Sequence, residues 1–244
     1  MTTAHVAEDV VGPVAPERVS TFWPGYLLPV GTVLITVVAA VLLLLTPPWM
    51  HFAIPASGGS VSSSFFGDLP QAALTVSDQT VNELLFGPGT FEIEMPCDWM
   101  KSCQLEFVYS PDEAAHLRDA RAVLYVFLGL AVLSALFVAA ALLRQPRDVR
   151  RWRAVSRGGS ALVVAMIVLG VFAVVAFDAA FELFHRVFFP GGNWEFPADS
   201  NLIRLYPYAF WQLTSGALGV LATVGGGLVW YVARSRARAL ERTR

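Results

Sequence analysis

The chain has 244 residues, 55% of them hydrophobic and only 15% charged, with a net charge of −2 and a mean hydropathy of +0.56. So little charge cannot cover the surface of a soluble domain of this size, and the balance excludes a protein that works as a strongly basic nucleic-acid binder. The apolar residues fall into uncharged blocks, 26–45, 122–143, 160–177 and 205–233, each long enough to cross a hydrocarbon core of about 30 Å as a helix. The expected fold is an all-α membrane bundle of four transmembrane helices, with a small α+β extracytoplasmic cap between the first two.

Residues 1–22 read as a weakly acidic, disordered leader. With no basic stretch beyond Arg18 and no small-residue cleavage site, the first span, 23–46, is expected to be retained rather than removed as a signal peptide. Pro47-Pro48-Trp49 ends it, and Trp49 suits the interfacial aromatic belt.

Residues 47–109 form the cap. They are acidic, and they carry Cys97 and Cys103. Outside the membrane a disulfide can persist, so a bridged loop is favoured over two free thiols; a two-cysteine metal site would need further ligands, and none is evident. Ser57–Ser64 reads as small and flexible. Ser77 is a candidate N-cap for a short helix over Asp78–Phe86, closed by Gly87 and Pro88. Phe91–Met95 and Gln104–Tyr109 are strand candidates.

Ser110-Pro111-Asp112-Glu113 is a strong helix start, with Ser110 as N-cap, Pro111 in the first turn and Glu113 closing a capping box. The second span with its outer extension, 110–143, is expected to run unbroken. His116, Arg118, Asp119 and Arg121 then sit on its exposed outer end, with His116 and Asp119 sharing a face. The arginine-rich stretch 144–159 follows as a loop, and 234–244 forms a second basic segment after the fourth span, 208–233. Arginines beside helix ends mark the cytoplasmic side. Both termini are therefore expected in the cytoplasm of a multi-pass cell-membrane protein, and topology explains the basic tail better than nucleic-acid binding does.

The third span and its outer extension cover 160–188. Asp178 lies 18 residues beyond Ser160, or about 27 Å along a helix, near the outer hydrocarbon boundary. Asp178, Glu182 and His185 follow at i, i+4 and i+7, with Arg186 beside them. His116 is six residues outside the second apolar block and His185 eight beyond the third. Neighbouring helices bring the two imidazoles together at about the same depth. Charged groups at the membrane rim are costly and hence functional candidates. The outer loop 189–207 is dense in special residues, from Phe188-Phe189-Pro190-Gly191-Gly192 to Asn193-Trp194-Glu195-Phe196; its aromatics suit the headgroup layer and its glycines a tight turn. Gly216, Gly219 and Gly225–Gly227 read as close helix packing in the fourth span.

No nucleophile elbow, P-loop, H-E-x-x-H or C-x-x-C occurs, and the spans lack mid-depth charges for an ion path. Acid–base chemistry on a lipidic substrate, without a protein nucleophile, cofactor or metal, is the enzymatic option left.

The stretch Phe177–Phe196, continuing through Leu202-Ile203-Arg204-Leu205-Tyr206-Pro207 to Phe210-Trp211, resembles the bacterial lipoprotein intramolecular transacylase family. His116-Leu117-Arg118-Asp119-Ala120-Arg121 is similar to that family's shorter His-x-x-Asp-Val-Arg pattern, with Ala120 replacing valine. The resemblance implies transfer of the sn-2 acyl chain of a diacylglyceryl-cysteine lipoprotein to its own N-terminal α-amine, giving the lyso form. It implies His116 and His185 as the acid–base pair, and membrane lipid and a diacylated lipoprotein N-terminus as partners. Asp119 would orient His116, and Arg118, Arg186, Asn193 or Trp194 would stabilise the oxyanion. Two other readings compete: a non-enzymatic envelope protein whose cap binds a partner, and a different outer-leaflet lipid-modifying enzyme. A separation of the imidazoles beyond about 10 Å, or their packing without a cavity open to the outer leaflet, would count against the transacylase reading.

Overall fold

The computed structural model describes residues 22–63, 67–95 and 106–243. The leader, Cys97 and Cys103 lie outside the described residues, and so do Gln104 and Leu105 at the start of the second strand candidate. Four helices are long and apolar enough to cross a membrane: α1 (Phe22–Leu44), α4 (Pro111–Arg144), α5 (Val149–Val175) and α8 (Tyr208–Arg242). α1 is the hub, packing against α4, α5 and α8, while α5 and α8 share the most extensive contact in the molecule. Glycine makes that last contact possible. A Cβ on Gly159 would come within 2.6 Å of the Gly226 carbonyl oxygen, so the two backbones cross directly. Of the fourth-span glycines, Gly226 takes part in this crossing and Gly225 faces Thr36, whereas Gly216, Gly219 and Gly227 meet nothing within 4 Å.

The cap differs in detail from the sequence expectation. Pro47 and Pro48 end α1 but also open a further helix, α2 (Pro47–Ala56), because proline is well suited to a first helical turn. α3 (Ala73–Leu85) starts five residues before Asp78. Ser77 is therefore not its cap. It belongs to the buried stripe Ala73, Val76, Ser77, Thr80 and Val81, whose i, i+3, i+4 spacing turns one face into the cap core. The hydroxyl of Thr80 hydrogen-bonds the Val76 carbonyl and also meets the Tyr109 hydroxyl at 2.7 Å. Burial pushes the phenol of Tyr109 well above its ordinary pKa and that of Tyr206 up to about 12.

The stretch read as flexible supplies one strand, β1 (Ser62–Ser63), which pairs antiparallel with β2 (Gly67–Asp68) just beyond it. The Phe91–Met95 segment meets its partner through one bridge, Glu94 with Phe107, flanked by Met95 N–H to Glu106 O and Val108 N–H to Ile93 O, each 2.8 Å.

Two side chains join the cap to the start of α4 and to residues 201–205. Glu113 accepts from Ser110 N–H at 2.8 Å within the capping box and from Leu202 N–H at 2.7 Å across to α7 (Asn201–Leu205). Asn201 accepts from Ser62 N–H and donates to the carbonyls of Ser62 and Val108, imitating a strand neighbour.

The basic stretch expected as a loop is helical from Val149 onward, with Asp148 capping α5. α5 stops at Ala176, whose φ of −143° and ψ of 54° leave the helical region. A separate helix, α6 (Phe177–Phe188), follows, so the third span does not run unbroken to its outer extension. The break lets α6 turn its Phe177, Phe181 and His185 row toward α8 and the outer loop, where Phe177 meets Tyr208 at 5.2 Å and Phe181 meets Trp211 at 6.1 Å.

Candidate functional site

α4 is 34 residues long, about 51 Å at 1.5 Å per residue, well beyond a hydrocarbon core of about 30 Å. Its apolar part begins at Ala122, so Pro111–Arg121 stands clear of the spanning segment and projects into the cap. One turn of this extension sends side chains in three directions. Arg118 donates to the Thr90 carbonyl at 3.1 Å and Arg121 to the Gly87 carbonyl at 2.6 Å, which fasten the cap loop. Tyr125 adds a hydrogen bond to the Leu85 carbonyl. The Asp119 carboxylate accepts from the Asn193 amide and so ties α4 to the outer loop. His116 points the other way, into an aromatic cup.

His185 comes to the same cup from α6. The ring centroids of His116 and His185 are 6.2 Å apart, with the planes inclined by 24°. Phe189 lies 4.6 Å from His116 and 5.7 Å from His185; Phe196 flanks the first ring at 5.7 Å, and Phe181 and Trp194 flank the second at 4.2 and 4.8 Å. The outer loop places these rings through a turn at Gly192, whose φ of 73° favours glycine and whose N–H returns to the Phe189 carbonyl.

The hydrogen bonding distinguishes the two imidazoles. His185 Nδ1 is 2.8 Å from the Phe181 carbonyl oxygen. A carbonyl only accepts, so Nδ1 carries the proton and Nε2 keeps its lone pair. His116 Nδ1 is buried and has no partner. Burial lowers the pKa of His116 to about 4, with the neighbouring His185 adding to the effect and Asp119 opposing it. Burial also lowers that of His185, against its bond to Phe181. Both rings are neutral at neutral pH.

The other sequence candidates divide. Asp119 and Asn193 pair with each other, so Asp119 does not orient His116 by a hydrogen bond and the Asn193 amide is not aimed at the imidazoles. Trp194 stacks on His185. Asp178 accepts from the Tyr208 hydroxyl, and Glu182 forms a 2.5 Å ion pair with Arg186. Glu182 and Arg186 lie about 60° and 100° around the helix from His185, on the side away from Phe181. His185 is buried while Glu182 and Arg186 are exposed. Phe181 and Phe196 are the site residues that sequence reading missed; their signal was the density of aromatics itself. Among the described residues, no group of three or more His, Cys, Asp or Glu is placed to hold a metal ion.

Residues 80–211, which carry both histidines, match the family model described as lipoprotein intramolecular transacylase Lit. An uncharacterised protein of Aquifex aeolicus is 29% identical over 124 residues. That match takes in 50% of this chain and 55% of the relative, so the chain spans about half the length of that relative. Among solved structures, the membrane-integral lipoprotein intramolecular transacylase Lit from Bacillus cereus aligns with a TM-score of 0.62 at 15% identity, covering 91% of this chain and 97% of that one. A histidine-to-arginine variant of the same Bacillus cereus protein aligns with a TM-score of 0.57 at 13% identity, over 91% of this chain and 94% of that one.

Proposed function

The chain belongs to the lipoprotein intramolecular transacylase family, and from that premise we propose that it moves the sn-2 acyl chain of a diacylglyceryl-cysteine lipoprotein onto the α-amine of the same cysteine, leaving the lyso form. The positions of the arginines support an orientation with both termini in the cytoplasm and the cap outside. The histidine site then faces the outer leaflet, where such a lipoprotein resides.

The carrying observation is the pairing of His116 and His185, brought within 6.2 Å from two different helices inside one aromatic cup. His185 acts as the base, because its Nδ1–H is committed to Phe181 and its Nε2 lone pair is free. It takes a proton from the α-amine as nitrogen attacks the ester carbonyl. The C–N bond forms, the ester C–O bond breaks, and the proton finishes on the glycerol oxygen. His116 completes this relay. It receives the proton from protonated His185 and gives it to the departing alkoxide, toward which its low basicity makes it a strong acid once protonated. The Trp194 indole N–H, beside His185, is the donor best placed for the oxyanion. An ester becomes an amide, which is downhill and requires no cofactor. Both reacting groups belong to one molecule, so orientation supplies much of the acceleration. Phe127 and Phe188, 5.7 Å apart between α4 and α6, offer an apolar wall for the acyl chains.

The test is mass spectrometry of the N-terminal peptide of a reporter lipoprotein, coexpressed in a host lacking N-acylation. Wild type is expected to convert the diacyl form to the lyso form. His116→Ala and His185→Ala should each reduce conversion by at least about 100-fold, the usual scale for losing a positioned acid or base. A reporter left unconverted by folded wild-type protein would overturn the reading, and undiminished conversion by both variants would remove the histidines from it.

A further inference from the structure

A cavity of about 920 Å³ opens at the end of the bundle opposite the histidines. It lies among the start of α5, the end of α8 and the start of α1, with Gly25 and Leu28 on its α1 wall. Six arginines line it, Arg150, Arg151, Arg153 and Arg157 from α5 and Arg234 and Arg238 from α8. Arg150, Arg153 and Arg157 recur at three- and four-residue spacing along one face of α5, and Arg234 and Arg238 are one turn apart on α8. Two carboxylates accompany them, and each is already paired. Asp148 meets Arg151 at 3.5 Å and Glu241 meets Arg153 at 2.7 Å. Among the described residues, no carboxylate pairs with Arg150, Arg157, Arg234 or Arg238. The Arg234 guanidinium instead lies 5.6 Å over the Trp230 ring.

Topology alone does not account for this arrangement. The positive-inside bias needs arginines on one side of the membrane, in any direction. Here they converge from two helices on one half-open cavity and leave an excess of four positive charges around it. Like charges held together are unfavourable without an anion between them.

We propose that this cavity holds the phosphate of an anionic phospholipid headgroup from the leaflet on the arginine-rich side. Guanidinium groups form bidentate bonds with phosphate oxygens, and basic pockets between membrane helices on the cytoplasmic side suit such headgroups. The position favours a lipid over a soluble phosphate. Gly158 and Gly159 bring α5 against α1 and α8 immediately above the arginines, where an added Cβ would strike the Pro29 and Gly226 carbonyls. The pocket is thereby closed toward the membrane interior and sits at the depth of the interface. Only the naming of that leaflet as cytoplasmic rests on the proposed orientation.

The experiment is native mass spectrometry of the full chain released from detergent, with phosphatidylglycerol, phosphatidylcholine or inorganic pyrophosphate added in turn. Wild type is expected to retain phosphatidylglycerol in preference to phosphatidylcholine. Arg157→Gln combined with Arg238→Gln should weaken that retention by about 10-fold or more, from two lost phosphate contacts. Should the double variant not yield a monodisperse protein, Arg238→Gln alone is expected to give roughly a 3–5-fold loss. Equal retention of the two lipids, or retention unaffected by the substitutions, would overturn the proposal. Displacement of phosphatidylglycerol by micromolar pyrophosphate would overturn the lipid as the occupant in favour of a soluble phosphate. The readout is independent of acyl transfer, so failure at the histidine site leaves this result intact, and the converse.

Discussion

Replacing Glu113 with alanine should destabilise the protein far more than an ordinary helix-end substitution. Glu113 is only 3% exposed, and its carboxylate serves two elements at once. One oxygen accepts from Ser110 N–H at 2.8 Å in the capping box, and the other from Leu202 N–H at 2.7 Å at the start of α7. Loss of the cap costs about 1 kcal/mol. Leaving the Leu202 N–H buried without a partner adds about 1–3 kcal/mol. The sum, about 2–4 kcal/mol, corresponds to a fall in Tm of roughly 5–15 °C for a chain of this size. Thermal unfolding of the purified protein in detergent, followed by size-exclusion of the surviving fraction, measures it. Ser110→Ala serves as the control, since it removes only the reciprocal cap bond from Glu113 N–H at 3.3 Å and should lower Tm by a few degrees. An equal, small shift for both variants would refute the assignment of Glu113 as the tie between α4 and α7.

The pH dependence should follow the substrate amine rather than the histidines above pH 6.5. Both histidine pKa values are lowered, that of His116 to about 4, so the rings are already neutral there and the rate should rise with deprotonation of an α-amine near 7.7–8.0. A rate profile with a single inflection near 6.5 would contradict the burial of the pair. The same shifts fix a stability trend. The unfolded chain takes up protons at these histidines from about pH 6.5 downward while the folded one does not. Their contribution is therefore complete above pH 6.5 and is lost as pH falls through the lowered values, measurable as a declining Tm. At the helix crossing, Gly159→Val should abolish recovery of folded protein, because backbone opposes the new side chain at 2.6 Å and cannot yield as a flexible side chain would. Gly216→Val, with open space around it, should be recovered normally.

The legible parts of this molecule were those governed by local rules. The Ser110 capping box, the uninterrupted α4 and the common depth of His116 and His185 follow from spacing, capping chemistry and the rise per residue. What stayed hidden depends on distant partners. Nothing at Ala176 signals a helix break, since neither proline nor glycine is there; the cause is the tertiary demand of the aromatic row on α6. Ser77 has the chemistry of a cap, and the cap core overrode it by extending α3 backward and burying the hydroxyl. The acidic pair Asp178 and Glu182 was grouped with His185 by i, i+4 and i+7 spacing, yet that spacing covers an arc wide enough for one member to be buried while another faces outward.

The contacts between helices explain why the outer loop matters so much. α4 packs along α1 and meets α5 at few points, so His116 and His185 stand on helices that do not hold each other in register. Helix packing therefore does not set the distance between the two imidazoles. It is set at the outer end, where Asp119 holds Asn193, Trp194 and Phe181 hold the His185 ring, and Phe189 lies against both histidines. Below this girdle α4 and α5 meet at few points, so parting them around apolar chains would break few contacts. A bundle packed tightly along all four helices would fix the histidines equally well but would close the side through which the lipid-anchored substrate proposed above would enter. The division of labour follows from the substrate proposed. The α5–α8 pair, with its glycine crossing, supplies rigidity on one side. The loosely attached α4 would supply access on the other, and the Asp119–Asn193 tie holds the outer end of α4 to the loop after α6.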